Sequence, residues 1–139
     1  MSQYIFDTDI FTLWYLAHPV VCQRASVHAT SDLAVTIITV EEQLTGWYSQ
    51  LRKTRQRDAL ARVYQRFTDV VGKLAGLRIF SFEEPAILRY EQLRAMRLNI
   101  GGYDLRIAAI TLEVGGILVT RNQRDFRRIP NLVLEDWSV

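Results

Sequence analysis

The sequence predicts an α/β fold of three layers: a mostly parallel central sheet of about five short strands, with helices on both faces. Two observations predict it. Short apolar and β-branched runs alternate along the chain with longer segments that repeat apolar residues at helical spacing. The chain has 139 residues, 49% of them hydrophobic, enough for one domain, spanning 1–139, to bury its own core. Strands that alternate with helices have to be joined by crossovers, and crossovers give parallel pairing.

The elements follow in order. Residues 3–6 read as a first strand, and 9–17 as a helix that stops near Pro19. Residues 19–29 read as a second helix. LAVTI, 33–37, is β-branched and apolar and reads as a strand. A helix follows from Thr39 to about Ser49. A basic helix covers about 55–75, with Leu60, Val63, Tyr64, Phe67, Val70, Val71 and Leu74 at helical spacing. LRIF, 77–80, is a short strand. Residues 84–97 form a helix with Pro85 in its first turn. Residues 102–115 form another, ended by Gly115 and Gly116. ILVT, 117–120, and LVLE, 132–135, complete the sheet.

Composition narrows the chemistry. Cys22 is the single cysteine, which excludes an internal disulfide and any zinc site built on cysteine. It also suits a reducing, cytoplasmic setting. His18 and His28 are too few for a histidine cluster and read as surface residues, while Cys22 reads as a small core residue. No apolar run approaches a membrane span, and the N-terminus lacks the pattern of a secretory signal. Net charge is only +2, but of 17 basic residues Lys53 and Lys73 alone are lysine. Arginine forks suit phosphate and carboxylate, although ordinary surface charge explains them as well.

Acidic residues sit where ligand sites of open α/β sheets form, just beyond the carboxyl ends of strands. Asp7 follows the first strand, Glu42 lies on the helix after the second, and Asn122 and Asp125 follow ILVT. Asp104 joins them if the start of its helix returns to that edge. Each has a competing local role. Asp7 can cap the first helix. Thr39-Val40-Glu41-Glu42 fits a capping box. Asp104 suits the dipole of a first helical turn. Asp125 can pair with Arg121, Arg124 or Arg128. If the acids converge, like charges at short range either raise a pKa or recruit a cation. Oxygen donors without Cys or His select a hard ion, Mg²⁺ or Mn²⁺. Such an ion suits phosphodiester hydrolysis.

Four segments in this order resemble the PIN-domain family of metal-dependent ribonucleases, most closely the toxins of VapBC-type toxin–antitoxin pairs. FDTDIF resembles the opening motif and marks Asp7 as the first acid. TIITVEEQLTGW resembles the second, a threonine three residues before a glutamate with a glycine four residues on; this selects Glu42. IGGYDLRIAAITLEVGGILVT resembles the third block, with Asp104 as its acid. TRNQRDFRRIPNLVLEDW resembles the closing segment. Two positions depart from the usual pattern: Asp9 stands where Asn or Ser is frequent, and Asn122 where many members have Asp. Members with Asn there carry an acid three residues on, which matches Asp125.

The resemblance implies a PIN-like fold and RNA cleavage with Mg²⁺ or Mn²⁺ held by Asp7, Glu42, Asp104 and Asp125. Thr8, Asp9, Thr39, Thr120 and Asn122 are the expected supporting residues. Arg121, Arg124, Arg127 and Arg128 are candidates for meeting RNA phosphates. A small antitoxin protein, a homodimer and a cytoplasmic location are implied partners and setting. The basic run LRKTRQRDALAR, 51–62, reads as a solvated helix face or as part of the dimer and antitoxin surface. Trp47 is expected in the core, while Trp14 and Tyr48 fit either core or that surface. Two rivals remain: a PIN fold without catalysis, serving RNA binding or assembly, and an aspartyl phosphatase of the haloacid dehalogenase type. The phosphatase motif matches Asp7 and Asp9 but meets Phe11 where Thr or Val is needed, and no lysine follows Lys73.

Overall fold

A computed structural model describes residues 2–139. In chain order the elements are β1 (Tyr4–Phe6), α1 (Thr8–Tyr15), α2 (Pro19–Ser26), β2 (Leu33–Thr36), α3 (Ile37–Lys53) and α4 (Arg57–Ala75). There follow β3 (Arg78–Phe80), α5 (Glu84–Ala95), α6 (Gly102–Val114), β4 (Ile117–Val119), α7 (Gln123–Phe126) and β5 (Val133–Glu135). The sheet order is β3-β2-β1-β4-β5, and all four pairings are parallel. The expected α/β class and five short strands are therefore present.

The period of two along each strand divides the core. Ile5, Ala34 and Leu118 face one side and pack with Ile38 of α3, with α5 and α6, and with Phe126 of α7. Their neighbours Phe6, Val35 and Val119 face the other side and pack with α1, α2 and α4. Strands three or four residues long are stable here because both faces are covered. Trp137, 1% exposed, seals the second layer against Tyr4 and Phe6, at ring-centre distances of 5.3 and 5.7 Å. Burying a side chain of that size contributes about 3 kcal/mol.

Several local expectations change. The strand LAVTI ends at Thr36, whose extended backbone (φ −101°, ψ 163°) and hydroxyl cap α3 at the Thr39 N–H. The capping box at Thr39–Glu42 therefore does not form; the helix has already begun. The basic helix starts at Arg57, so residues 51–62 straddle the junction of α3 and α4 rather than form one face. Tyr64 and Val71, placed on its apolar stripe, are exposed, while Val63, Val70 and Leu74 are buried. His18 caps α2 by accepting from the Val21 N–H, and His28 stacks on Trp137 with ring centres 5.1 Å apart. Trp47 and Trp14 are both half-buried against the second layer, Tyr48 is exposed, and Cys22 is half-buried.

The turn from α6 into β4 needs two glycines for different reasons. Gly115 has φ 67°, the left-handed region that ends helices. Gly116 lies so close to β1 that a Cβ would sit 2.9 Å from Ile5 Cδ1 and 3.2 Å from the Gln3 carbonyl oxygen. Gly116→Ala is expected to cost roughly 1–3 kcal/mol through overpacking, read as a lower urea midpoint at unchanged slope. An unchanged midpoint would mean that β1 and β4 have room to part. Among the described residues no helix is long and apolar enough to cross a membrane.

Candidate active site

The parallel sheet brings its carboxyl ends to one edge, and the acids gather there. Asp7 follows β1 directly, Glu42 is in the second turn of α3, and Thr120 and Asn122 follow β4. Because α6 returns the chain to the start of β4, its own first turn, with Asp104, stands at the same edge.

Asp7 is 6% exposed, and its Oδ1 accepts from the Ile10 N–H at 2.9 Å. It is therefore the cap of α1 and a member of the acid group at once. Burial pushes its pKa up to about 7; the Thr120 hydroxyl and the Ile10 N–H oppose the rise, and the charges of Asp9 and Asp104 add to it. Glu42 is half-buried and accepts from the Thr8 hydroxyl at 2.5 Å; Thr8 in turn lies 3.1 Å from the Thr39 hydroxyl. Burial raises the Glu42 carboxyl, Thr8 lowers it, and the charges of Asp9 and Glu41 raise it further. Asp104 is pushed up to about 6, first by burial and then by Glu42, Asp125 and Asp9.

Every charged neighbour acting on these three carboxyls is another carboxylate. Asp9, given a supporting role from the sequence, is exposed, yet its charge reaches all three. The set is oxygen-only and under mutual repulsion, the donor chemistry that a hard divalent ion neutralises. Among the described residues no group of three or more Asp, Glu, His or Cys side chains stands close enough together to hold a metal ion. The carboxylate oxygens of Asp7, Glu42 and Asp104 are of the donor type that such a hard ion takes.

The segment after β4 is arranged differently from the other three places. Asn122 caps α7, its Oδ1 accepting from the Asp125 N–H at 3.3 Å, and its own N–H donates to the buried Thr120 hydroxyl at 2.9 Å. Both Asp125 oxygens are engaged, Oδ2 by Asn122 Nδ2 and Oδ1 by Arg128 Nη2, each at 2.9 Å. Arg121, Arg124 and Arg127 are exposed, whereas Arg128 turns inward. Nothing in the run of arginines distinguished Arg128, because its partners Leu98 and Asn99 lie some thirty residues away.

Beside Glu42 a groove of about 530 Å³ opens between α1, α3 and α4, lined by Thr12, Tyr15, Leu16, Gly46, Trp47 and Arg66 among others. Leu16, 64% exposed, stands at its margin.

The fold and the acid-lined sheet edge define the class: a three-layer α/β/α protein with the PIN-like architecture. No family model matches the sequence. The chain nevertheless resembles the VapC ribonucleases over almost its whole length. It is 29% identical to Ribonuclease VapC2 of Rickettsia felis, across 97% of this chain and 98% of that one. It is also 29% identical to the tRNA(fMet)-specific endonuclease VapC of Salmonella typhimurium, across 78% and 77% of the two chains. Among solved structures it superposes on DNA-bound VapBC from Salmonella typhimurium with a TM-score of 0.79, at 27% identity and 99% coverage of both chains. The VapBC2 complex of Rickettsia felis, bound to a DNA fragment from its promoter, gives 0.75 at 26% identity, with 96% and 98% covered.

Proposed function

We propose that this chain is a metal-dependent endoribonuclease and the toxin of a toxin–antitoxin pair. The observation that carries the reading is the group of carboxyls at the sheet edge, raised by burial and by one another, in a chain that resembles VapC ribonucleases from end to end. Asp7, Glu42 and Asp104 would hold Mg²⁺ or Mn²⁺, with Asp125 and Asn122 beside them. When bound, such an ion lowers the pKa of water and offsets charge on a phosphodiester.

The chain's own residues supply orientation. The Ile10 N–H engages one Asp7 oxygen, and the Thr120 hydroxyl also bonds this carboxyl. Thr8, supported by Thr39, holds one Glu42 oxygen in the same way. Asp9 adds negative charge at the rim, which draws cations in. Exposed Arg121, Arg124 and Arg127 flank the edge and are available to RNA phosphates, favouring a substrate that the carboxylates alone would repel.

The antitoxin reading rests on the VapBC complexes among the structural relatives. We assign the groove beside Glu42, with its exposed apolar margin, to that partner. A homodimer and a cytoplasmic location belong to the same proposal. Purified protein is expected to cleave RNA in Mg²⁺ or Mn²⁺, to stop on addition of EDTA, and to resume when the ion is restored in excess. Cleavage that persists undiminished in EDTA would overturn the metal assignment. Lack of cleavage with every divalent ion tried, on total RNA, would favour the non-catalytic alternative.

A further inference from the structure

We infer that Arg128 is a positioning residue: it fastens the loop ahead of α6, and with it Asp104, to the segment that follows β4. Its guanidinium serves three acceptors at once. Nη1 donates to the Leu98 carbonyl at 2.8 Å and to the Asn99 carbonyl at 3.1 Å, while Nη2 donates to Asp125 Oδ1 at 2.9 Å. The loop it grips is strained. Arg97 and Asn99 have φ of 53° and 59°, in the left-handed region, which asparagine tolerates and arginine rarely adopts. Such a conformation persists where surrounding contacts hold it, and Arg128 supplies contacts to two successive carbonyls within it.

The other end of the clamp is equally well anchored. Asp125 is bound on its second oxygen by Asn122, Asn122 caps α7 and bonds Thr120, and Thr120 acts on Asp7. The contacts thus run from the loop before Asp104 to the neighbourhood of Asp7, two acids 97 positions apart in the chain. Asp125 serves this network with both oxygens, as the counter-ion of Arg128. Only a planar guanidinium has the donors and spacing for the three acceptors; a lysine ammonium keeps the charge but not the fork.

The metal-binding part of the test rests on the ribonuclease reading; the backbone part does not. Arg128→Gln and Arg128→Lys would be compared with wild type and with Arg62→Gln, which removes an exposed charge on α4. Mn²⁺ affinity is measured by calorimetry, and amide hydrogen exchange is followed over residues 97–104. Both Arg128 variants are expected to weaken Mn²⁺ binding roughly 10- to 100-fold and to speed exchange in that loop, with Arg62→Gln unchanged in both. If Arg128→Gln does not fold, the lysine variant carries the comparison. Wild-type affinity and exchange in folded Arg128→Lys, with a loss only in KM for RNA, would overturn the proposal and make Arg128 a phosphate contact. Should wild type itself take up no Mn²⁺, the metal reading fails, and the exchange rates alone decide the positioning role.

Discussion

Asp104→Asn is expected to lose RNA cleavage by a factor on the order of 10² or more, the loss typical of removing one preorganised electrostatic contact at a reacting centre, while the fold stays intact. The reason lies in how little structural work Asp104 does. The cap position of α6 is Gly101, which offers no side chain, so Asp104 is not holding the helix end. The charged groups that act on it, Glu42, Asp125 and Asp9, all repel it. Replacing the carboxylate with an amide of the same shape therefore relieves repulsion and removes an oxygen donor for a cation. The measurement is single-turnover cleavage beside circular dichroism and thermal melting of the same preparation. Full activity in Asp104→Asn would end the metal-centre reading. A variant that unfolds would show that Asp104 has a structural role the geometry does not give it.

The sheet was the most legible part of the molecule. YIF, LAVT and ILV are runs that suit strands buried on both faces, and the strands occur there. Boundaries were less legible where two signals compete. Ile37 is β-branched and read as the end of β2, but Thr36 already has the backbone of a cap, so the helix starts two residues before the apparent capping box. Four-residue α7 shows no periodicity to read. The positions of Asp7, Glu42 and Asp104 at one edge followed from strand ends and the family-like spacing. The arginines after β4 were a different case. Arg121, Arg124, Arg127 and Arg128 look alike in the sequence, and only the distant carbonyls of Leu98 and Asn99 separate the inward one from the outward three. A side chain's partners across thirty residues are set by tertiary packing, on which the local pattern is silent. The same holds for Asp7, which caps α1 and still stands among the acids of the sheet edge.

That double use leads to the second large expected effect: Asp7→Asn should inactivate the protein and also make its metal-free form more stable at pH 8. In the fold the Asp7 carboxyl is raised from 3.8 to about 7, so folding favours its protonated form. Below pH 4 both folded and unfolded chains are protonated there and the group costs nothing. Between pH 4 and 7 the unfolded chain releases the proton while the folded one retains it, so stability falls as pH rises. Above pH 7 the cost is fully in place, at most about 4 kcal/mol from the size of the shift. Asparagine keeps an oxygen to accept from Ile10 and carries no charge, so both the cap and the burial are satisfied. Its gain over wild type is expected to be roughly 1–4 kcal/mol at pH 8, several degrees in Tm, shrinking towards zero near pH 4. Taking the difference between the two proteins cancels the titration of the other groups to first order. Mn²⁺ should raise the Tm of wild type by mass action and move Asp7→Asn far less, so the ion narrows or reverses the gap. Denaturation from pH 4 to 8, with and without Mn²⁺, reads all of this. An Asp7→Asn protein less stable than wild type at pH 8 without metal would mean that the buried carboxylate has a partner stronger than Ile10 and Thr120, and that its cost to the fold had been misread.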